Sequence, residues 1–405
     1  MAQKIIKTAT TLLAATLLVG TAHAGGFDRG TADTDILFED GNFVTRFGVG
    51  YVMPTQNQNA GGTDLGSPVQ NYVIPNFAMK LGVTESSDCA ATYTTPFGGS
   101  VDFSDAPGGA DPTSTIGAVK QEFVTNELGL TCSYKVDAGR GNFRILGGVF
   151  MQTLDFEQDF ANQGVTTGFL PAANLSLQDQ GIGWRAGVAY EIPEIALRAQ
   201  LLYRSAVAVS ATGQTTALLP TPTTIPGVGT VILPAGTVVF DSATGDATFP
   251  QSVEAKFQTG VAPGWLVFGG VKWTDWSVFE VLEYNATGEA ATLNFFWKDG
   301  WTINAGVARR FSEQLAATAS FRWDRGVSTG HDINETTWGV AVGTSYTPNE
   351  NAELRLGASY TYIESGSQDF TAGAPGDPQF VSTPGVKTAS SGHAVGVGLS
   401  LKAKF

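Results

Sequence analysis

From Trp338 onward the side chains alternate with a period of two. Trp338, Val340, Val342 and Tyr346 share one face, and Gly339, Ala341, Gly343 and Ser345 share the other. After a turn at Pro348-Asn349-Glu350 the pattern resumes, with Leu354, Leu356, Ala358, Tyr360 and Tyr362 opposed to Glu353, Arg355, Gly357, Ser359 and Thr361. Such a run is a strand with two unlike faces. Runs of this kind, nine to thirteen residues long, recur along the chain. In a soluble sandwich the apolar face would be a core. In a membrane barrel it faces lipid, and the Gly, Ser, Arg and Glu face lines the lumen.

The connections separate these two options. Short turns fall near 84–88, 137–141, 192–194, 262–264, 312–314 and 348–351. Between them lie long polar or Pro/Gly-rich loops near 54–70, 99–114, 157–179, 211–249, 277–297, 327–335 and 365–391. Six short connections interleaved with seven long ones predict fourteen strands, the even count and the loop asymmetry of an outer-membrane barrel. The last strand alternates Val395, Val397, Leu399, Leu401 and Ala403 with Gly396, Gly398, Ser400, Lys402 and Lys404, and it ends on Phe405. The reading is all-β: a transmembrane antiparallel barrel over 43–405, preceded by a short N-terminal plug segment at 25–42.

Residues 1–24 have the form of a secretory signal peptide, with Lys4 and Lys7, an apolar stretch Leu12 to Val19, and Ala22-His23-Ala24 as the cleavage signal. A helical span needs about 20 apolar residues, more than this stretch has. Cleavage after Ala24 is expected, with location in a bacterial outer membrane. Only 15% of the chain is charged, against 50 Gly and 43 aromatic residues, which suits a wall in lipid around a crowded lumen.

Without its leader the chain carries 21 basic and 37 acidic residues, a formal charge of −16. That argues against a nucleic-acid partner. With His331 and His393 the only histidines left and no Cys-x-x-Cys, neither a metal site nor a His-based catalytic centre has the ligands or bases it needs. No cofactor is expected and the chain does not read as an enzyme.

Several segments resemble the FadL family of outer-membrane fatty-acid and hydrocarbon transporters. They are Ile74-Pro75-Asn76-Phe77-Ala78 in the second strand, Tyr203-Arg204-Ser205 ending the seventh, and Phe249-Pro250-Gln251-Ser252-Val253 opening the eighth. The most specific is Val271-Lys272-Trp273-Thr274-Asp275-Trp276-Ser277-Val278-Phe279 in the ninth, followed by Lys298-Asp299-Gly300-Trp301 opening the tenth. The resemblance implies a fourteen-stranded barrel closed by an N-terminal plug, an apolar site among the external loops and a tighter site inside; a monomer is the expected state. It also implies an inward kink in the third strand that opens the wall to the bilayer. Transport would be passive, with long-chain fatty acids as the expected ligands and aromatic hydrocarbons as the alternative. The expected surroundings are outer-membrane lipid and lipopolysaccharide, and Phe405 would serve as the signal to the barrel-assembly machinery.

Particular residues fit those roles. Pro96, Gly98 and Gly99 follow the third strand where a bend would open the wall, since Pro removes a ladder donor; Pro96 simply ending the strand is the competing reading. Phe169, Leu170, Leu218, Leu219, Ile225, Ile232 and Leu233 form apolar clusters in external loops, read as the outer ligand site or as a lid of mutually buried loops. Phe27, Ile36, Leu37 and Phe38 are the apolar residues of the plug, which lacks the family's Asn-Pro-Ala motif, so that segment can equally hang in the periplasm. The lumen-facing parity holds Lys80, Arg144, Arg185, Arg198, Lys256, Lys272, Arg322 and Arg355. Of these Arg144, Lys272 and Arg322 are the candidates for binding a carboxylate, with pairing to lumenal acids such as Glu254 or Glu353 as the competing role.

Two other functions remain readable in the sequence. A barrel hydrolase needs an organised nucleophile and base; a general diffusion porin needs an open constriction. Hydrolysis assays and ion conductance separate these.

Cys89 and Cys132 stand just after one short turn and just before the next, on the same face of neighbouring antiparallel strands. Directly opposed Cα atoms there lie about 4.5–5.5 Å apart, within disulfide reach. The expected outcome is no free thiol on alkylation of the unreduced, unfolded protein, and two after reduction.

Overall fold

The computed structural model describes residues 25–114, 117–160, 173–219, 223–225, 229–231, 237–279, 281–286, 289–369 and 386–405, with backbone only at 217–241 and 280–294. Fourteen antiparallel strands close a barrel. They are β1 (Phe43–Thr55), β2 (Tyr72–Gly82), β3 (Ser87–Thr94), β4 (Glu127–Ala138), β5 (Gly141–Phe160), β6 (Ala173–Ile192) and β7 (Leu197–Arg204). The second half is β8 (Ser252–Ala262), β9 (Trp265–Thr274), β10 (Gly300–Arg310), β11 (Leu315–Asp324), β12 (Thr337–Asn349), β13 (Ala352–Ile363) and β14 (Gly392–Lys404). Each pairs with the next, and β14 returns to β1 in a register from Val44↔Lys404 to Thr55↔His393. Closure pairs the strands around the whole ring, and pairing matters because an unpaired N–H or C=O in the apolar slab costs several kcal/mol.

The short turns lie at one end of the barrel. Gly139 and Gly264 close two of them at φ +65° and +75°, a region open to glycine without a Cβ penalty. Parity follows the alternation: Val340, Val342, Leu356 and Tyr360 are exposed on the outside, whereas Gly339, Ala341, Ser359 and Thr361 are buried within. Cys89 and Cys132 are directly opposed on β3 and β4 and form a disulfide.

Two of the long loops are shorter than the sequence suggests. β5 runs on to Phe160 and β6 starts at Ala173, while a strand Val207–Leu219 carries β7 upward against Thr237–Phe249 above β8. A strand of 20 residues such as β5 extends roughly 66 Å, far more than an apolar band about 25 Å tall requires. The wall therefore rises above the membrane as a crown. Segments of two other loops, Gln58–Ala60 and Thr63–Gly66 from the first and Gly366–Asp369 and Val386–Ala389 from the last, form a separate four-stranded sheet on this side.

An arginine at Val342 or Leu356 should cost about 2–4 kcal/mol of barrel stability near the midplane. At lumen-facing Gly343 it should mainly crowd the interior. Denaturant unfolding in detergent or lipid checks this, and equal tolerance on both faces would reverse the assignment of inside and outside.

Candidate functional site: an apolar chamber, a break in the wall and an ion-paired plug

The polarity of the wall inverts along β5 and β6. Low on β5 the outward residues are Ile145, Val149 and Met151 and the inward ones include Arg144; higher up Thr153, Asp155, Glu157 and Asp159 point out while Leu154 and Phe156 are buried inside. On β6, Trp184 and Ile182 face out below, and Gln180, Gln178 and Ser176 face out above opposite inward Leu177 and Leu175. Lipid against the outer surface demands apolar side chains and water demands polar ones, so the switch marks the membrane boundary. Above it the inside is free to be apolar, and it is.

That interior forms a chamber with a cavity of about 40 Å³ lined by Phe27, Phe123, Leu154, Phe156, Leu177, Ala211, Phe249, Phe279 and Phe295. Phe27, from the N-terminal segment, sits at its centre: its ring lies 4.6 Å from Phe123, 4.7 Å from Trp297 and 5.8 Å from Phe279 and Phe295. Trp297 is steered by the loop between β11 and β12, where Asp332 accepts its indole N–H and a 2.7 Å bond from Asn334. Burial pushes the Asp332 carboxyl above the usual range, against those two hydrogen bonds. The floor is charged. Glu127 takes Arg185 and Arg204 together, leaving one positive charge in surplus, and Arg204 stacks over Phe150 at 4.4 Å and Phe97 at 5.3 Å.

Beside the chamber the wall is interrupted. The β2–β3 ladder holds from Gly82↔Asp88 to Asn76↔Thr94 and then stops. β2 stays in the wall, still paired with β1 as far as Val52↔Tyr72, but the chain beyond Thr94 turns inward. It returns as a strand Gly98–Asp102 whose partners are Ala118–Val124 and, through a 3.0 Å bond from Gln70 N–H to Ser100, the first external loop. Tyr72–Pro75 thus face Thr95–Gly99 with no ladder between them. The N-terminal segment satisfies part of the freed backbone: Arg29 N–H donates to Pro96 at 2.8 Å, Gly30 N–H to Thr95 at 2.9 Å, and Gly98 N–H to Phe27 at 3.0 Å.

Below, the same segment fills the lumen. Ile36 and Leu37 are fully buried, and its acids meet basic side chains from the wall. Arg46 bonds Asp33 at 2.6 Å and also reaches Glu39; Lys402 bonds Glu39 at 3.0 Å; Arg198 and Lys256 reach Asp35 at 3.3 and 3.5 Å; Lys272 bonds Asp28 at 2.8 Å. Arg144 donates to the Leu37 carbonyl at 3.1 Å, and Arg198 lies 4.5 Å from the Phe38 ring. Charge-assisted pairs in a lumen shielded from water are strong and geometrically specific.

The sequence-derived residues fall into place unevenly. Phe27 belongs to the upper chamber and Ile36, Leu37 and Phe38 to the lower lumen. Pro96 stands at the break. Gly98 and Gly99 line the inward turn for a reason of space: a Cβ at Gly98 would lie 2.7 Å from the Arg29 guanidinium carbon, and one at Gly99 would lie 3.0 Å from Phe123 and 3.2 Å from Phe27. Each proposed carboxylate binder already has an acid: Arg144 holds Asp88 and Glu191, Lys272 holds Asp28, and Arg322 holds Asp324. Phe169, Leu170, Ile232 and Leu233 lie outside the described residues, as do residues 1–24, the expected leader; Leu218 and Leu219 end an ascending strand and Ile225 lies in Thr223–Ile225, all three described by backbone alone. Sequence reasoning missed Arg204, Glu127 and the aromatic set of Trp276, Phe279 and Trp297, although two of those aromatics stand in the ninth-strand motif.

The family model described as outer membrane protein transport protein (OMPP1/FadL/TodX) matches residues 45–405. The long-chain fatty acid transport protein of Escherichia coli O6:H1 is 24% identical over 71% of this chain and 69% of its own length; that of Salmonella typhi is 26% identical over 48% of this chain. The match spans about half of the latter, 45% of its length. Among solved structures, a Pseudomonas aeruginosa FadL homologue superimposes with a TM-score of 0.71 at 16% identity, covering 91% of this chain and 92% of that one. The Pseudomonas putida toluene transporter TodX gives 0.62 at 13% identity over the same shares, 91% and 92%. At these identities the structures speak for the fold alone.

Removing the Arg46 side chain would strand Asp33 in the lumen and leave Glu39 to Lys402, a loss on the order of 3–5 kcal/mol for a buried pair. Arg46→Ala should therefore loosen residues 25–42, where Arg29 is the only tryptic site. Limited trypsinolysis of the folded barrel, read by mass spectrometry, should show cleavage after Arg29 in the variant and not in the wild type.

Proposed function

We propose, on the premise that this chain belongs to the outer membrane protein transport family (OMPP1/FadL/TodX), that it passes hydrophobic compounds, long-chain fatty acids above all, passively inward across the outer membrane and releases them sideways. The observation that carries this reading is the contiguity of the apolar chamber with the break in the wall at Tyr72–Pro75. A hydrophobe captured among Phe27, Phe123 and Phe249 gains by burial at each stage and has little to gain from an aqueous exit. Toward the periplasm the path meets the ion-paired plug instead, a poor medium for an alkyl chain.

Fatty acids are favoured over neutral hydrocarbons by the charge at the chamber floor, where Arg185 and Arg204 share Glu127. A carboxylate can use that surplus; toluene cannot. The filled lumen argues against a general porin, for which large steady conductance steps would be expected. Phe405, 78% exposed at the end of the closing strand, is retained as the proposed assembly signal.

Replacing Pro96 with Thr and Gly98 and Gly99 with Val favours a straight third strand and drives out the plug residues packed on the glycines. The variant should remain a folded, heat-modifiable barrel yet fail to support labelled oleate uptake in cells lacking other routes. Undiminished uptake by a barrel whose strand is demonstrably straight would mean that the ligand leaves through the lumen.

A further inference from the structure

We propose that Arg29 is a carboxylate contact at the side opening, engaging the head group of an acidic hydrophobe as it passes from the chamber into the break in the wall. The proposal rests on the fatty-acid reading above and adds a residue and a place to it.

Arg29 is the only basic side chain between Gly25 and Asn42 and is only 8% exposed. The buried acids of this segment, Asp28, Asp33, Asp35 and Glu39, each meet a lysine or arginine of the wall. Arg29 has no such partner: no carboxylate lies within ion-pair distance among the described residues. Glu122, whose field reaches it, is engaged by Lys120 at 3.2 Å. What it does touch is the Tyr72 ring, 4.3 Å from the guanidinium carbon.

Its position gives that isolation a purpose. The backbone N–H of Arg29 is bonded to Pro96 on the inward-turning chain, and its guanidinium spans from Tyr72 to Gly98. Those two residues stand on opposite lips of the unpaired stretch. The absence of a Cβ at Gly98 is what leaves room for the guanidinium there. A largely buried guanidinium with five N–H donors and no carboxylate partner is costly. A planar carboxylate matches its fork with two parallel hydrogen bonds. A neutral hydrocarbon offers it nothing, so Arg29 should discriminate acids from esters and hydrocarbons at the exit.

The test uses the purified full barrel in detergent, titrated with cis-parinaric acid and with its methyl ester by fluorescence, folding being verified by heat-modifiability. Loss of one charge-assisted contact should raise the Kd for the acid about tenfold in Arg29→Gln, with the ester changed less than about twofold. Arg29→Lys should recover part of the acid affinity, since it keeps the charge and loses the fork. Gly98→Ala, which displaces the guanidinium and leaves it in the chain, should shift the acid in the same direction and serves if Arg29→Gln does not fold. Parallel losses for acid and ester, or no change in either, overturn the proposal and leave the fatty-acid reading standing. A wild-type barrel that binds neither probe overturns both.

Discussion

Everything in this molecule answers to the requirement that a backbone crossing lipid be hydrogen-bonded throughout. The ladder that runs from β1 around to β14 and back to β1 meets that demand, and so makes the interruption between β2 and β3 expensive. The N-terminal segment reduces the expense, because Phe27 to Gly30 lie along Thr95 to Gly98 and exchange backbone hydrogen bonds with them. Plug and opening are thus one construction. The segment that enters the lumen also lines the hole.

The inverted polarity of the wall has an equally simple origin. Where the outside is lipid the inside can hold charge, and eight of the strands there present Arg or Lys to the plug or its carbonyls. Where the outside is water the inside can be apolar, and Leu154, Phe156, Leu175 and Leu177 are buried there. A hydrophobe therefore finds a suitable surface above the membrane and an unsuitable one in the lower lumen. The break in the wall stands close to the change from one to the other.

Electrostatics also accounts for how residues 25–42 are held. Among the described residues of this segment only Ile36, Leu37 and Phe38 form an apolar contact with the lower wall. Four acids distributed between Asp28 and Glu39 supply the rest, each against a basic side chain from a different direction. Buried pairs of this kind contribute position more than net stability, because desolvation offsets much of the Coulomb gain.

What the sequence by itself determined was whatever repeats over neighbouring residues: the period of two, the alternation of short and long connections, the closing strand to Phe405, and the shared face of Cys89 and Cys132. A period of two survives the change of polarity in β5 and β6, but the rule that the apolar face is the outer one does not, so residues 157–160 and 173–179 read as loop though their backbone is strand. The reason for Gly98 and Gly99 was likewise hidden, since it lies in Arg29, Phe27 and Phe123, distant in sequence. Only the tertiary structure decided that the acidic N-terminal segment lies inside the barrel, that Arg144, Lys272 and Arg322 already hold acids, and that Arg29 does not. Charge partners are selected by distance, and distances such as that between Asp28 and Lys272 are set when β14 closes on β1, a step no local pattern encodes.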